Sequence, residues 1–421
     1  MTSSFNHYPH VCALPVSLPL SLSIKASGFV KLLFLSNSPS HMRSSVRLPF
    51  LCFVLIQLLG ALGGGGGPTG CEFSAIFNFG DSNSDSGAIS AALSEVAPPN
   101  GETFFGHPSG RFCDGRLIID FIAEDLKLPY LSPYLDSIET NFRHGANFAT
   151  GGSSIRPGGY SPFDLSIQIS QFKRFKSRVT ELYNRLNQST DKTSAFSYRL
   201  PRPQDFSRAL YTFDIGQNDL SYGLQHTTVE QVIASIPDIL SQFSQAVHKL
   251  YEEGARVFWV HNTGPIGCLP YTIIYDQAKP DNLDQNGCVR PQNEVAEEFN
   301  KQLKDRILQL RAQLSAAVFT YVDVYSAKYS LIGEAKDQGF FDPSSFCCGS
   351  YYGYHIDCGK KAIVNGTEYG NPCEDPSKHI SWDGIHYSEA ANKWVASRIL
   401  SGSFSYPAVS IRKSCHASKN P

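Results

Sequence analysis

The sequence predicts an α/β fold in which a central parallel sheet is covered by helices, and three observations carry that prediction. Short apolar runs alternate along the chain with longer amphipathic stretches, the order expected when each strand is followed by a crossover helix. The short runs are rich in β-branched and aromatic residues, which suit strands buried on both faces. The longer stretches repeat their apolar residues at helical spacing. No internal repeat interrupts this pattern, and no low-complexity block occurs beyond Gly63 to Gly67.

Strands are expected over residues 75–79, 209–215, 257–261 and 318–322. A helix is expected over residues 166–186, where Ile169, Phe172, Val179, Leu182 and Leu186 share one side. Residues 228–253 follow the same rule through Val232, Ile236, Ile239, Phe243 and Val247, and residues 292–314 through Val295, Phe299, Leu303, Ile307 and Leu310. A further helix-like stretch covers residues 388–400. Apolar residues at these positions read as core, with no cofactor role. Residues 330–376, rich in glycine, cysteine and tyrosine, read as a disulfide-braced loop region over the core.

The chain has 421 residues, 42% of them hydrophobic and 18% charged, so it can bury a sizeable core in one large domain or two small ones. Its formal net charge of −2, with no block of like charges, argues against an electrostatic grip on nucleic acid or anionic lipid. A small or neutral partner is expected.

Arg43 and Arg47 precede an apolar run over residues 48–62 that gives way to Gly63 to Gly67, the basic, hydrophobic, small-residue order of a secretory signal. The run is short for a membrane span; an anchor is the rival reading, and no second long apolar run supports it. Residues 42–68 are therefore expected to be a signal peptide and glycine-rich linker, leaving a secreted chain without stable membrane insertion. Met42 directly precedes the basic start, so translation is expected to begin there and residues 1–41 to be a non-native or dispensable extension.

Eleven cysteines occur, and Cys12 and Cys52 fall before or within the signal. The remaining nine are odd in number, so at least one is unpaired or intermolecular. An oxidising route favours disulfides over zinc, because no repeated C-x-x-C and no H-E-x-x-H occurs. For Cys347-Cys348, separate structural disulfides are favoured over a redox pair, and the spacing leaves the connectivity open. Asn187-Gln188-Ser189 and Asn365-Gly366-Thr367 are glycosylation sequons that agree with secretion.

Four blocks carry chemistry. In the run from Phe77 to Ser82 a strand stops at Gly80 and mounts Ser82 on the turn that follows. A serine hydroxyl is a weak nucleophile at neutral pH and needs a base held in the right tautomer by a third group. In Asp383-Gly384-Ile385-His386 the histidine can be that base, and Asp383 can turn back across the bend to orient it. Acyl transfer also needs donors aimed at the developing oxyanion, each typically contributing on the order of 3 kcal/mol. Two blocks offer them: Gly145 to Gly152, through a backbone N–H at Gly151 or Gly152, and Asp214 to Asp219, through the Asn218 amide. These blocks fall after strands or in loops, so the carboxyl edge of a parallel sheet can gather them in one crevice. Asp81 and Asp85 read as helix caps more readily than as activators of Ser82, and His144 and His261 as packing or loop residues.

Taken together, in order, content and approximate spacing, these blocks resemble the SGNH hydrolases and, more closely, the plant GDSL esterase/lipase family. The run His261 to Pro270 and the run Phe213 to Leu220 are similar to the branch of early-nodulin-type esterases, acetylajmalan-type acetylesterases and α-fucosidase-like members. Asn83 stands where the family name has leucine, and no G-x-S-x-G elbow of the α/β-hydrolases occurs. The resemblance implies a flavodoxin-like α/β/α sandwich over residues 69–405, followed by a tail over 406–421. It implies hydrolysis of carboxylic esters without metal or cofactor, by Ser82, Asp383 and His386. The oxyanion would be held by the Ser82 N–H, the Gly152 N–H and the Asn218 side chain. A secreted monomer in the apoplast or cell wall, acting on a small-molecule or saccharide ester, is the expectation. Glycosidase action, or a non-catalytic binding or defence protein on the same fold, is the alternative.

Overall fold

The computed structural model describes residues 70–138, 140–188, 196–275, 280–350 and 356–416. The extension, signal and linker read over residues 1–68, with Cys12, Cys52 and Met42, lie outside the described residues, as do Ser189 of the first sequon and the last five residues of the tail.

The first strand, β1 (Ile76–Gly80), pairs in parallel with β2 (Gly145–Asn147) on one side and with β3 (Leu210–Asp214) on the other. Beyond β3 come β4 (Val257–His261) and β5 (Val318–Val322), also parallel. The order β2-β1-β3-β4-β5 is that of a flavodoxin-like sheet, and it reverses direction between β1 and β3. A two-residue strand at Ser405–Tyr406 closes the far edge, antiparallel to β5. The four strands expected from composition are present, β4 and β5 at their expected ends and β1 and β3 with each end shifted by one residue. The fifth, β2, was not expected, because Gly145-Ala146-Asn147 offers no β-branched residue. Its sequence answers to close approach instead: Gly145 has φ +113°, and a Cβ there would lie 1.8 Å from the Ile76 carbonyl oxygen.

Both faces of the sheet are covered. Phe77, Phe79, Phe213 and Phe258 point to one side, where they meet α2 (Leu165–Gln188), α4 (Val229–Glu252) and α5 (Arg290–Gln313) through Phe172, Phe243 and Phe299. Burying each such ring contributes roughly 1.5–3 kcal/mol. Ile76, Trp259 and Val322 point to the other side, against α1 (Ile118–Asp125), α6 (Val324–Gly333) and α7 (Glu389–Ser401). Helix α4 begins as its sequence requires, with the Gln231 N–H donating to the Thr228 hydroxyl and the Thr228 N–H donating to the Gln231 side chain. Helices α1 and α6 were not expected. They are short, and α6 spaces its tyrosines and alanines without a clean apolar stripe.

The described residues between 334 and 376 are largely loop, with a hairpin of two three-residue strands, Ala362–Val364 and Thr367–Tyr369, turning at Asn365-Gly366. Both turn residues have positive φ, as a tight hairpin turn of this kind needs. Cysteines pair as Cys71–Cys415, Cys268–Cys288, Cys347–Cys373 and Cys348–Cys358, and Cys113 remains as a buried free thiol. The adjacent pair Cys347-Cys348 thus belongs to two separate disulfides, as expected. No described helix is long and apolar enough to cross a membrane.

Candidate active site

Gly80 ends β1 at the carboxyl edge of the sheet, where one side-chain amide, that of Gln168, holds both its N–H and its carbonyl. Its N–H donates to Gln168 Oε1 at 3.0 Å and its carbonyl accepts from Gln168 Nε2 at 2.8 Å. A side chain at this position would collide with Ser84 Oγ and the Asp214 carbonyl, so only glycine lets β1 turn here. Ser82 follows, half-buried, on the loop leading to the short helix Ala88–Ala92.

The other half of the site arrives on the loop before α7. Ser388 caps that helix by accepting the Ala391 N–H, which fixes where the loop ends. Within the loop, Asp383 Oδ1 accepts the backbone N–H groups of Ile385 and His386 at 3.0 and 2.7 Å. Its Oδ2 lies 2.6 Å from His386 Nδ1. A carboxylate only accepts, so Nδ1 carries the proton, and the lone pair of Nε2 faces the Ser82 hydroxyl at 2.8 Å. The imidazole stacks on Phe112, ring centroids 5.0 Å apart. Structure therefore brings Ser82, His386 and Asp383 into one hydrogen-bonded chain across 304 residues of sequence.

What supports this loop is the disulfide-braced segment. The Trp382 carbonyl accepts the N–H groups of Cys347 and Cys348 at 2.9 and 2.7 Å. The Trp382 ring is buried among the four cysteines of that segment, and its N–H donates to Asn100 Oδ1 at 2.8 Å. Two disulfides thus meet at the residue before Asp383.

Around Ser82 the remaining blocks interlock. Asn147 Nδ2 donates to the Ser84 carbonyl and the Ser86 hydroxyl, which holds the serine loop against β2. Asp85 is wholly buried and accepts four backbone N–H groups: Gly87, Ala88 and Ile89 at the start of the short helix, and Gly151 at 2.8 Å. Capping is therefore part of its work, but it also ties the serine loop to the glycine block. That bond engages the Gly151 N–H, whereas the Gly152 N–H, at a residue with φ +75°, has no partner among the described residues. Asn218 opens α3 (Gln217–His226), lines the same crevice as Ser82, and donates one amide hydrogen to the Ser153 carbonyl at 2.9 Å. Asp219 beside it accepts the N–H groups of Ile155 and Arg156. Asp85 and Asp219 were not singled out for such bridging, and only the chain fold reveals it.

Electrostatically the floor of the crevice is unusual. Burial, then the nearby Asp214 charge, push the Asp81 carboxyl up to about 7, and Asp81 Oδ2 is a buried acceptor without a partner. Burial also opposes ionisation of Asp214, but the His261 hydrogen bond and the charges of His261 and Lys328 outweigh it and hold Asp214 below the ordinary value. His261 packs as expected, accepting from the Trp259 ring N–H at 3.1 Å and facing Asp214 at 3.4 Å. His144 is a loop residue, its Nδ1 3.1 Å from the Ser74 carbonyl. Burial alone raises the Asp85 carboxyl to about 6 against its four donors, and does the same to Asp219. Among the described residues no group of three or more His, Cys, Asp or Glu side chains is arranged to hold a metal ion.

Comparison with known proteins agrees with this architecture. The profile of the family described as GDSL-like Lipase/Acylhydrolase matches residues 76–399. A GDSL esterase/lipase of Arabidopsis thaliana is 56% identical, covering 83% of this chain and 92% of its own length. A protein of the same organism named alpha-L-fucosidase 3 is 49% identical, covering 79% of this chain and 91% of its own. The GDSL esterase/lipase ENOD8 of Medicago truncatula is 45% identical, covering 82% and 91%. A solved acetylxylan esterase from Geobacillus stearothermophilus is a looser likeness, 13% identical with a TM-score of 0.35 over 78% of this chain and 92% of that one. The chain belongs to the plant GDSL esterase/lipase family and is a carboxylic ester hydrolase.

Proposed function

We propose that this hydrolase is a secreted serine esterase working through an acyl-enzyme. Ser82 Oγ attacks the ester carbonyl while His386 Nε2 takes its proton; the proton then passes to the departing alcohol oxygen, and water releases the acid by the same route. Asp383 holds His386 in the reactive tautomer. The Ser82 N–H, the Gly152 N–H and the second amide hydrogen of Asn218 stabilise the oxyanion. The observation that carries the reading is the Asp383–His386–Ser82 chain, with contacts of 2.6 and 2.8 Å.

Secretion to the apoplast or cell wall follows from the signal-like run over residues 42–68 and is supported by the four disulfides. The mature chain would act as a monomer, a single hydrolase domain over residues 69–405, glycosylated at Asn187 and Asn365, both of which are exposed. Its substrates would be acyl or acetyl esters of lipids, glycosides or cell-wall sugars.

Ser82→Ala tests the chemistry. Turnover of p-nitrophenyl acetate should fall by at least about 10⁴-fold, as when a catalytic serine is removed elsewhere, with the melting temperature nearly unchanged. Activity retained in the purified variant would refute the triad.

A further inference from the structure

The crevice that holds Ser82 and Asn218 continues to Lys328, on α6. Lysine is rarely drawn into such a place without a partner, because a desolvated ammonium needs acceptors for its three hydrogens. Yet among the described residues Lys328 has no hydrogen bond and no ion pair. Its Nζ lies over the Tyr387 ring, 4.4 Å from the centroid, one residue beyond His386. Gly264 makes room for its stem, since a Cβ there would lie 3.0 Å from Lys328 Cδ. The charges that face it are Asp214, in the same crevice, and Asp81 beneath. Among the described residues the Asp214 carboxylate for its part accepts two long contacts, from Gln217 at 3.3 Å and His261 at 3.4 Å.

An ammonium with hydrogens to give and a carboxylate with lone pairs to spare therefore line the same crevice, close enough for each to feel the other's charge. Three kinds of ester can be weighed against that pair. An alkyl group would strand both charges against hydrocarbon, which costs the desolvation of each. A carboxylate would meet Lys328 but also the negative Asp214. A hydroxyl both accepts and donates, so it satisfies Lys328 and Asp214 together. Ile266, Leu269 and Ile385 line the same crevice and supply apolar surface suited to the C–H face of a ring.

Resting on the serine-esterase reading, we infer that Lys328 and Asp214 form a hydroxyl-reading subsite, and that the enzyme selects esters of neutral, ring-shaped polyhydroxy alcohols over esters of plain alkyl alcohols. Lys328 is then a specificity-determining residue: it holds the alcohol portion while Ser82 attacks the acyl carbon.

The test compares two acetates of the same ring size, methyl 3-O-acetyl-β-xylopyranoside and cyclohexyl acetate, by kcat/KM. The ratio between them, compared between wild type and variant, cancels their intrinsic reactivities. Lys328→Met should lower that ratio about ten- to hundredfold, chiefly through a higher KM for the xyloside. Lys328→Arg, which keeps the charge and disturbs folding less, should lower it about threefold or more. An unchanged ratio in either variant overturns the subsite and leaves the triad untouched. Failure of the triad shows separately, as hydrolysis of either acetate that survives Ser82→Ala.

Discussion

The two halves of the site are built by different means. Ser82 stands on the sheet: its loop is fixed by the end of β1, by the Gln168 clamp on Gly80 and by side-chain bridges from Asn147 and Asp85, all backed by the aromatic core. His386 and Asp383 stand on a loop whose nearest support, Trp382, is held by two disulfides and little regular structure. Core packing is cooperative and resists local change, whereas a stapled loop can lose its geometry while the rest of the domain stays folded. The hydrogen-bonded pair of His386 and Asp383 should therefore be the half that fails first under reduction.

The largest effect expected from that contrast follows removal of a staple beside Trp382. In Cys347→Ser/Cys373→Ser, kcat/KM on p-nitrophenyl acetate should fall about ten- to hundredfold, because a misplacement of an ångström in a catalytic group costs on that order. The control is Cys71→Ser/Cys415→Ser, which opens a bridge spanning 344 residues at the two ends of the described residues, against 26 for the first pair. Loop-closure entropy gives the longer bridge the larger stability effect, about 4 kcal/mol or more, yet the folded fraction should keep its kcat/KM. Equal activity losses in the two variants would show that the stapled loop has no special tie to the site.

On the sheet side the corresponding weak point is Asp85. Replacing it by asparagine keeps the shape but turns charge-assisted bonds, including that from Gly151, into weaker or repulsive ones. The glycine block should then shift relative to Ser82. We expect kcat to fall about tenfold with KM within about twofold, less than the full loss of an oxyanion donor because the proposed donor, Gly152, would be displaced and not deleted. A change confined to KM would show that Asp85 serves binding or folding alone.

Much of this arrangement was legible in the sequence, and the parts that were not share a physical reason. β4 and β5 were placed at their true ends, because Val-Phe-Trp-Val-His and Val-Phe-Thr-Tyr-Val announce buried strands by composition. Ser82, Asp383 and His386 stood out as residue types in a recognisable order. Asp85 showed only its local cap, since its bond to Gly151 spans 66 residues and leaves no periodic trace. The cysteine count announced an unpaired thiol but could not say it was Cys113, because pairing depends on which loops meet in space. Lys328 had no signal at all: its setting depends on α6, a helix whose sequence lacks an apolar stripe, and on Gly264 and Tyr387 from distant elements.

The smallest expected effect concerns the floor beneath Ser82 and is read in stability. Asp81 ionises in the unfolded chain near the ordinary 3.8 and in the folded protein near 7, because burial and Asp214 disfavour its charge. Its folded value is raised, so the proton is held more tightly in the native state. The stabilisation this brings is fully present below the unfolded value and is lost as pH rises through 7. The wild type should therefore lose stability between about pH 4 and 7 on account of this one carboxyl. Asp81→Asn carries no titrating group there, and its amide can occupy the place of the unpartnered Oδ2. The difference in Tm, variant minus wild type, should thus grow by a few degrees between pH 5 and 7.5, at about 1–2 °C per kcal/mol for a domain of this size. A difference independent of pH would mean that Asp81 is already charged when folded, and that Lys328 and His261 neutralise both aspartates and not Asp214 alone.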